Sequence, residues 1–491
     1  MPKLSDKQTQ QRLTEGRNYK RLYFDLKDKY DLVVAENKQL KQMLIDQKAY
    51  FEKLIETQAA RITELETMVF GRKPISGLPV KADKLSTKAT RSAASYRRPV
   101  PPASAITSEE HHTIHDCHRC GHQLTDKQEA IRYEEDIILA ALTATSDNPT
   151  PHQTVTKHTI ETGWCSHCGQ MSSAKDLRGQ VVTLGPVVRS LIVYLVVQAD
   201  QTYSQTQDLL WQLYRFKVSS SEITAILSAR RETYLPVYER LKTSVRAGPS
   251  HMDETSCPIQ SEQGSGYAHV MVGVDGKPNE HDVVFKLADS RGKGNSEALV
   301  GNNYSQIGIT DRYASYKDLF GNGKHQICWA HLHRTARDLT RLECLTVKKL
   351  KHVTKFHQEI ASIYATVRQY KDCPFDAVKR TIQAKDLLTQ VTALCQPSLL
   401  DPKKLTDLKA GILDYQACLF PCLTIDGIPA DNNKAERALR KLVIKRKKSF
   451  GVKTMKGART MEVLLSVCQS YYNRDKDNFL ATLHGLATVS Q

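Results

Sequence analysis

The chain has 491 residues, too many for one hydrophobic core, and we expect three or four domains. Its 70 lysines and arginines exceed its 53 aspartates and glutamates, for a formal charge of +17, which favours a polyanionic partner such as nucleic acid. The longest apolar run, residues 191–197, is far too short to span a bilayer, and the first residues lack the apolar segment of a secretory leader, so we expect a cytoplasmic protein without a membrane partner.

The first predicted element is one long helix. Residues 19–69 contain neither glycine nor proline, and their apolar residues follow a seven-residue pattern. The apolar positions of the two seams are Tyr19, Tyr23, Leu26, Tyr30, Val33, Leu40, Leu44, Phe51 and Leu54. Asn37 occupies a seam position, where a buried amide often sets the register of two-stranded coiled coils. We interpret residues 1–70 as a coiled-coil helix that forms a homodimer or higher oligomer; the alternative is one amphipathic helix packed on its own protein.

A basic segment follows at residues 71–108. It carries eight bases and one acid, with frequent proline, serine and alanine, and has too few apolar residues to fold alone. We expect a linker, which either lies along a phosphate backbone or is simply solvated.

Two Cys-x-x-Cys-Gly sequences predict a structural zinc site, because each forms a turn that presents two thiolates to the metal. The four cysteines are Cys117, Cys120, Cys165 and Cys168. In a cytoplasmic protein disulfides are disfavoured, so zinc is the better explanation of this pattern. We expect strands at residues 132–144 and 152–160 between the pairs. The alternative is that a nearby histidine replaces one cysteine; the histidines are His118, His122 and His167.

Residues 182–245 have a helical pattern, with one helix near the start, a second at residues 205–214 and a third after a short turn. Ser219 or Ser220 can cap the third helix, and Glu222 can complete a capping box. Two helices joined by a short turn are typical of a helix-turn-helix that contacts DNA, and equally of an ordinary helical bundle.

From residue 248 the pattern changes to strands, and two aspartates lie on them. Asp253 lies in the first strand, a hairpin follows, and a buried strand at residues 307–310 ends at Asp311. The segment 324–339 is predicted to be helical. This order is that of a ribonuclease-H-like sheet, in which the first and fourth strands are neighbours and the two carboxylates face each other. They would repel unless a divalent cation lies between them.

A single acid, Glu436, precedes a run of bases that contains no acid up to residue 453. On a helix packed against the sheet it would be the third carboxylate, and three carboxylates can hold two Mg²⁺ ions that act on a phosphodiester. Asp426 is an alternative third ligand, as is Asp431, although Asp431 is also a good helix cap. The bases expected to hold DNA are Arg437, Arg440, Lys445, Arg446, Lys447 and Lys448.

Four motifs resemble transposases of the insertion-sequence 66 family: HMDET at 251–255, ITDRYASY at 309–316, CWAHLHR at 328–334 and PADNNKAERALRKLVIKRK at 429–447. The resemblance implies a DDE catalytic triad of Asp253, Asp311 and Glu436. It also implies a short Phe-Gly-basic motif at residues 70–73, and as partners the DNA of element ends and target, with small accessory proteins. The setting it implies is a prokaryotic cytoplasm, in association with the nucleoid.

The resulting fold class is multidomain α+β. The domain assignment is 1–70 coiled-coil helix, 71–108 basic linker, 109–180 zinc-binding domain, 181–247 helical DNA-binding region, 248–334 and 426–491 ribonuclease-H-like α/β catalytic domain, and 335–425 helical insertion implied by the resemblance.

The predicted function is metal-dependent cleavage and transfer of DNA strands. Two alternatives are a zinc-containing DNA-binding regulator that has lost catalysis and a nuclease that cuts but never joins. Cys328 and His331 have the spacing of metal ligands, although one helical turn with Trp329 between them is more typical of core packing. The cysteines expected to be buried thiols are Cys344, Cys395 and Cys468.

Overall fold

The computed structural model describes residues 6–70, 97–139, 152–177, 179–262, 266–302, 304–317, 319–320, 323–342, 345–449 and 451–488, with the side chains of the first helix described over 26–58. The chain separates into two units, Met1–Ser92 and Ala93–Gln491. Gly71, Arg72 and Lys73 of the Phe-Gly-basic motif, Cys344 and most of the basic linker lie outside the described residues. Within the described part, no helix has both the length and the apolar character that crossing a membrane requires.

The described residues of the first unit form one helix, α1 (Asp6–Phe70), of 65 residues. At 1.5 Å per residue it is about 100 Å long. All described side chains of this helix are exposed, including Leu40, Leu44 and Phe51 of the predicted seams. Asn37 donates its side-chain amide to the carbonyl of Val33. An exposed apolar seam of this length is typical of a helix that pairs with another chain, and the coiled coil stays a prediction.

The second unit begins with a five-stranded sheet. Its strands are β1 (Ser108–His112), β2 (Asp126–Ile138), β3 (His152–Cys165), β4 (Gln170–Ser173) and β5 (Val182–Leu184). The order is β1-β3-β2-β5, with β4 paired to the end of β3. The expected strands between the two cysteine pairs are confirmed as β2 and β3.

Three helices follow: α2 (Pro186–Val193), α3 (Tyr203–Tyr214) and α4 (Ser220–Ala247), with a π-helical segment Tyr194–Gln198 after α2. The predicted cap of α4 is confirmed, because Ser219 accepts the backbone N–H of Glu222 and Glu222 accepts the backbone N–H of Ser219. The expectation of a helical pattern from residue 182 was wrong for its first three residues, which form β5 and pair with β2.

The second sheet contains β6 (Ser250–Ser256), β7 (Tyr267–Gly273), β8 (Val283–Ala288), β9 (Gly308–Thr310) and β10 (His325–Ile327), with α5 (Lys293–Val300) between β8 and β9. Its order is β10-β9-β6-β7-β8. Strands β6, β7 and β8 are antiparallel, whereas β9 is parallel to β6, and β10 to β9. The predicted pairing of the first and fourth strands is confirmed. The helical prediction for 324–339 was wrong at its start, which forms β10.

Eight helices complete the unit: α6 (Trp329–Leu339), α7 (Val347–Gln369), α8 (Ala377–Leu394), α9 (Lys403–Asp414), α10 (Pro421–Thr424), α11 (Asn433–Ser449), α12 (Met455–Arg474) and α13 (Phe479–Thr488). Helices α6 to α10 pack around Trp329 in a core that also includes Ile309 of β9 and Ile327 of β10, and Cys395 is buried there. A second core joins α2, α4, α11, α12 and α13 to the sheet, with Cys468 buried in it.

Helix α12 covers the β8 edge of this sheet. The backbone N–H groups of alternate β8 residues donate hydrogen bonds of 2.9 Å to side chains of α12: Val283 to Ser470, Phe285 to Ser466, and Leu287 to Glu462. These three acceptors recur every four residues, so they lie on one helical face. An edge strand with its amides satisfied in this way cannot pair with another chain.

Candidate active site

The two aspartates lie at the same level of neighbouring parallel strands. His251 of β6 pairs with Ile309 of β9, and two residues further along each strand come Asp253 and Asp311. Asp311 directly follows β9 and accepts the backbone N–H of Tyr313 at 2.8 Å. Both residues are half-buried, so their carboxylates lie at the surface end of the sheet.

Glu436 is held near them by the start of α11. One turn earlier, the Asn432 side chain donates to the Met252 carbonyl at 2.7 Å and accepts from Nδ1 of His251 at 3.2 Å. The Asn432 backbone N–H is also donated to the Cys328 sulfur at 3.2 Å. This buried amide therefore connects α11, β6 and the start of α6. Burial lowers the pKa of His251 to about 4, so the ring stays neutral and donates one proton to the amide oxygen.

The three carboxylates interact electrostatically. The pKa of Asp253 is raised to about 7. Burial is the largest cause, the negative charges of Glu254, Asp311 and Glu436 act in the same direction, and the hydrogen bond from the backbone N–H of Glu254 opposes them. Asp311 lies 58 residues after Asp253 in sequence, and Glu436 lies 183 residues after it. The fold thus brings the three acids that the sequence singled out into one region, but among the described residues their oxygens do not form a group within 4.8 Å of one another.

Glu436 has two basic side chains on one side. Its Oε1 lies 3.4 Å from Nε2 of His331 and 3.9 Å from the Arg334 guanidinium, both on α6. Within the described chain, this buried oxygen accepts no hydrogen bond. Asp431, the alternative third acid, instead accepts the backbone N–H of Asn433 at 3.1 Å in the turn before the helix, and Asn432, whose carbonyl accepts the N–H of Glu436, is the N-cap. Asp426 is exposed.

Cys328 and His331 have different surroundings. The Cys328 thiol is buried, and burial raises its pKa to about 11, so it stays protonated. His331 points toward Glu436 instead. Among the residues that the structure describes, this pair belongs to no group of metal-sized spacing. Core packing is therefore the better interpretation of Cys328. His331 lies beside Glu436 in the candidate active site, a placement that the sequence analysis missed.

A fourth acid, Glu254, was also missed. Its side chain is almost fully buried, is paired with Arg291 through a 2.7 Å hydrogen bond and accepts the Tyr316 hydroxyl. Arg291 also stacks on Tyr313, with 3.6 Å between the guanidinium carbon and the ring centre. The contact connects β6 to the turn after Asp311. Glu254 thereby holds the turn that carries Asp311. The only sign of this contact in the sequence was that Tyr313 and Tyr316 follow Asp311 closely.

The bases of α11 divide between two directions. Arg437, Arg440 and Lys447 are exposed. Lys445 instead donates to the Val196 carbonyl and lies 3.7 Å from Asp200, and burial lowers its pKa to about 8. Two further bases predicted to hold DNA bind carbonyl oxygens of the protein: Arg446 that of Ser256 and Lys448 that of Asp200. These three side chains fasten the helix to the protein in this structure.

The four knuckle cysteines converge in the first sheet. The sulfurs of Cys117 and Cys168, and those of Cys120 and Cys165, lie 3.5 Å apart, and all four lie within 4.8 Å of one another. Tetrahedral zinc with bonds of about 2.3 Å places its sulfurs roughly 3.7 Å apart, so the cluster fits the metal. A hydrogen bond from Ser172 lowers the pKa of Cys117 to about 5, which favours the thiolate.

Glycine completes each knuckle turn. Gly121 and Gly169 have φ of +71° and +63°, and their N–H groups bond the carbonyls of Cys117 and Cys165 at 2.9 Å. His122 and His167 stack beside the cluster with 3.6 Å between ring centres, so the histidine alternative is still open. His118 donates its backbone N–H to Ser172.

Comparison with known families gives one match. A family model described as the Transposase IS66 family matches residues 182–460, more than half of the chain. A search of curated proteins finds no match.

Proposed function

Because the chain belongs to the IS66 family of transposases, we propose that it cleaves the ends of a DNA element and joins them to target DNA at Asp253, Asp311 and Glu436. The observation that carries this proposal is the placement of three acids from separate segments: Asp253 lies on β6 and Asp311 directly after the paired strand β9, Asn432 fastens the helix of Glu436 to β6, and the charges of Asp311 and Glu436 add to burial, the largest cause, in raising the Asp253 pKa. A fold maintains such a cost where the charges serve a function. The strand order β10-β9-β6-β7-β8 supports a ribonuclease-H-like catalytic domain.

The donor set suits magnesium. Asp253, Asp311 and Glu436 offer hard oxygen ligands, and a divalent cation would relieve the repulsion between them. The three residues would hold two Mg²⁺ ions, whose bound charge supplies stabilisation of the attacking and leaving oxygens of a phosphodiester. Asp253 must lose its proton before it can act as a ligand, so the pKa near 7 makes the site ready at neutral to alkaline pH.

The reaction consists of two in-line displacements. In the first, the oxygen of water bonds to phosphorus, the P–O3′ bond breaks, and the released 3′ oxygen takes a proton. In the second, that 3′ hydroxyl gives up its proton as its oxygen bonds to a target phosphorus, the bond between this phosphorus and the 3′ oxygen of the adjoining target nucleotide breaks, and the leaving oxygen takes up a proton. Exposed Arg334, Arg437 and Arg440 near Glu436 would position the phosphates through paired N–H donors.

The remaining parts support DNA handling. The four-cysteine cluster holds structural zinc in residues 109–180. Helices α3 and α4 contact DNA as a helix-turn-helix, and α1 pairs chains through its exposed seam. Helices α7 to α10 form the insertion that interrupts the catalytic domain between β10 and α11.

A strand-transfer assay tests the proposal. The end DNA is taken from the sequences that flank the gene, which are first searched for inverted repeats, and the proteins are the wild type, Glu436→Gln and the control Asp426→Asn, whose side chain is exposed. We expect Mg²⁺-dependent cutting and joining by the wild type and the control, and a loss of at least about 100-fold with retained DNA binding in Glu436→Gln. Cutting that survives in Glu436→Gln contradicts the assignment of that residue.

The same assay separates the alternatives. An inactive DNA-binding regulator would bind the repeats but leave every strand intact in Mg²⁺. A nuclease would cut the end DNA and leave no product joined to the target.

A further inference from the structure

A second group of potential metal ligands lies on the first sheet, outside the four-cysteine cluster. Glu110 and His112 lie on β1 and His158 lies on β3. Strands β1 and β3 are parallel, Glu110 is opposite His158, and His112 is two residues further along β1. Because side chains alternate along a strand, the three lie on one face of the sheet.

Their ligand atoms have the spacing of a metal site. Nε2 of His112 lies 3.0 Å from Nδ1 of His158, and one oxygen of Glu110 lies 3.1 Å from His158 and 3.4 Å from His112. Nitrogen and oxygen ligands about 2.0–2.1 Å from tetrahedral zinc are separated from each other by roughly 3.3 Å. The triangle therefore needs only small movements to surround such an ion.

Hydrogen bonding alone cannot satisfy this cluster. Nδ1 of His158 has three polar neighbours, His112, Glu110 and the Lys175 ammonium at 3.5 Å. An imidazole nitrogen carries either one proton or one lone pair, so Nδ1 can complete one of these contacts. A divalent cation uses the lone pairs of both rings and the carboxylate at once.

The surrounding charges allow a cation to enter. Lys175 is exposed, so its ammonium can turn into solvent and leave the position beside His158. Arg132 lies opposite His158 on β2, but its guanidinium is turned to the carbonyls of Ile131 and Leu177. Glu134, two residues along β2 on the same face, adds a second negative charge near Glu110.

We propose that Glu110, His112 and His158 form a second zinc site, with a two-histidine, one-carboxylate ligand set and a fourth position open to solvent. Zinc is the preferred ion, because imidazole with one carboxylate at this spacing suits zinc better than magnesium or calcium. The site would fasten the edge strand β1 to β3 and so join segments before and after the first knuckle.

Metal analysis of the full-length protein tests this. After equilibration with zinc and removal of free metal, we expect two zinc ions per chain in the wild type and one in His112→Gln. His111→Gln is the matched control, since His111 directly precedes His112 on β1 and points to the opposite face. It should keep two. Cys165→Ser should lose the other ion, and circular dichroism checks that each variant is folded.

Cobalt substitution identifies which site is lost. The thiolate-to-cobalt absorption of the four-cysteine site should persist in His112→Gln and in the milder Glu110→Gln, while the cobalt content falls by one per chain. One zinc per chain in the wild type, or equal losses in His112→Gln and His111→Gln, would overturn the proposal.

Discussion

Replacement of Asp253 by asparagine should stabilise the metal-free protein at alkaline pH. Burial and three neighbouring acids raise the pKa of Asp253 from 3.8 to about 7. Between these values the folded chain keeps a proton that the unfolded chain has released, so stability falls as the pH rises through this window. Above pH 7 the folded protein bears the full cost of the ionised side chain, and asparagine removes that cost.

The size of the effect follows from the shift. At about 1.4 kcal/mol for each pKa unit, a rise of about three units sets an upper limit of roughly 4 kcal/mol. Asp253 is half-buried and solvent screens part of the repulsion, so we expect about 2 kcal/mol at pH 8 and almost none at pH 4.

Urea unfolding followed by circular dichroism measures this difference, with EDTA or with excess Mg²⁺. Mg²⁺ should stabilise the wild type, because it binds the folded site and not the unfolded chain. It should have little effect on Asp253→Asn. The control Asp426→Asn, at an exposed acid, should differ from the wild type by less than about 0.5 kcal/mol in EDTA. Equal stability of the wild type and Asp253→Asn at pH 8, or equal stabilisation of both by Mg²⁺, would refute the reasoning.

Three further predictions concern other parts of the chain. Cys165→Ser should lower the zinc content by one ion per chain, whereas Cys373→Ser, at an exposed thiol, should leave it unchanged; equal contents would contradict the knuckle assignment. Ser219→Ala removes the side-chain cap of α4 and should lower the free energy of unfolding by about 1 kcal/mol in urea titrations, so an unchanged midpoint would argue against the capping box. Leu40→Asp places a charge in the exposed seam of α1 and should dissociate the oligomer in sedimentation experiments; a wild type that sediments as a monomer would contradict the coiled coil.

Local signals predicted the elements that depend on short stretches of sequence. The capping box of Ser219 and Glu222 is a four-residue pattern, and the structure forms it. Gly121 and Gly169 follow their cysteines because each turn needs a positive φ that glycine adopts without strain. That β6 and β9 are neighbours followed from the order of elements along the chain, and the structure shows that the pair is parallel.

Other features could not be predicted from short stretches of sequence. Strand β10 has three residues and runs directly into α6, too few for a strand period to be seen. After Glu436 the bases of α11 are interrupted by no acid, yet Lys445 is covered by the segment Tyr194–Gln198, more than 200 residues earlier. Which bases are exposed depends on that tertiary contact, and the helical periodicity of α11 alone does not reveal it.

The contacts that orient the site were the least predictable. Asn432 touches β6 and the start of α6, and the sequence offered Asp431 beside it as the more obvious cap. Glu254 accepts hydrogen bonds from Arg291 and Tyr316, which are distant in sequence from it and from each other. Such partners can be named only once the strands and helices are packed.

The central claim is that β6, the residue after β9 and the start of α11 share bound divalent cations. Iron(II) bound in place of magnesium, with ascorbate and peroxide, cleaves the backbone near the ion and so maps the segments that surround it. We predict cuts near Asp253, Asp311 and Glu436 together, suppressed by excess Mg²⁺. Cuts near only one of these residues, or cuts that Mg²⁺ does not suppress, would contradict the account.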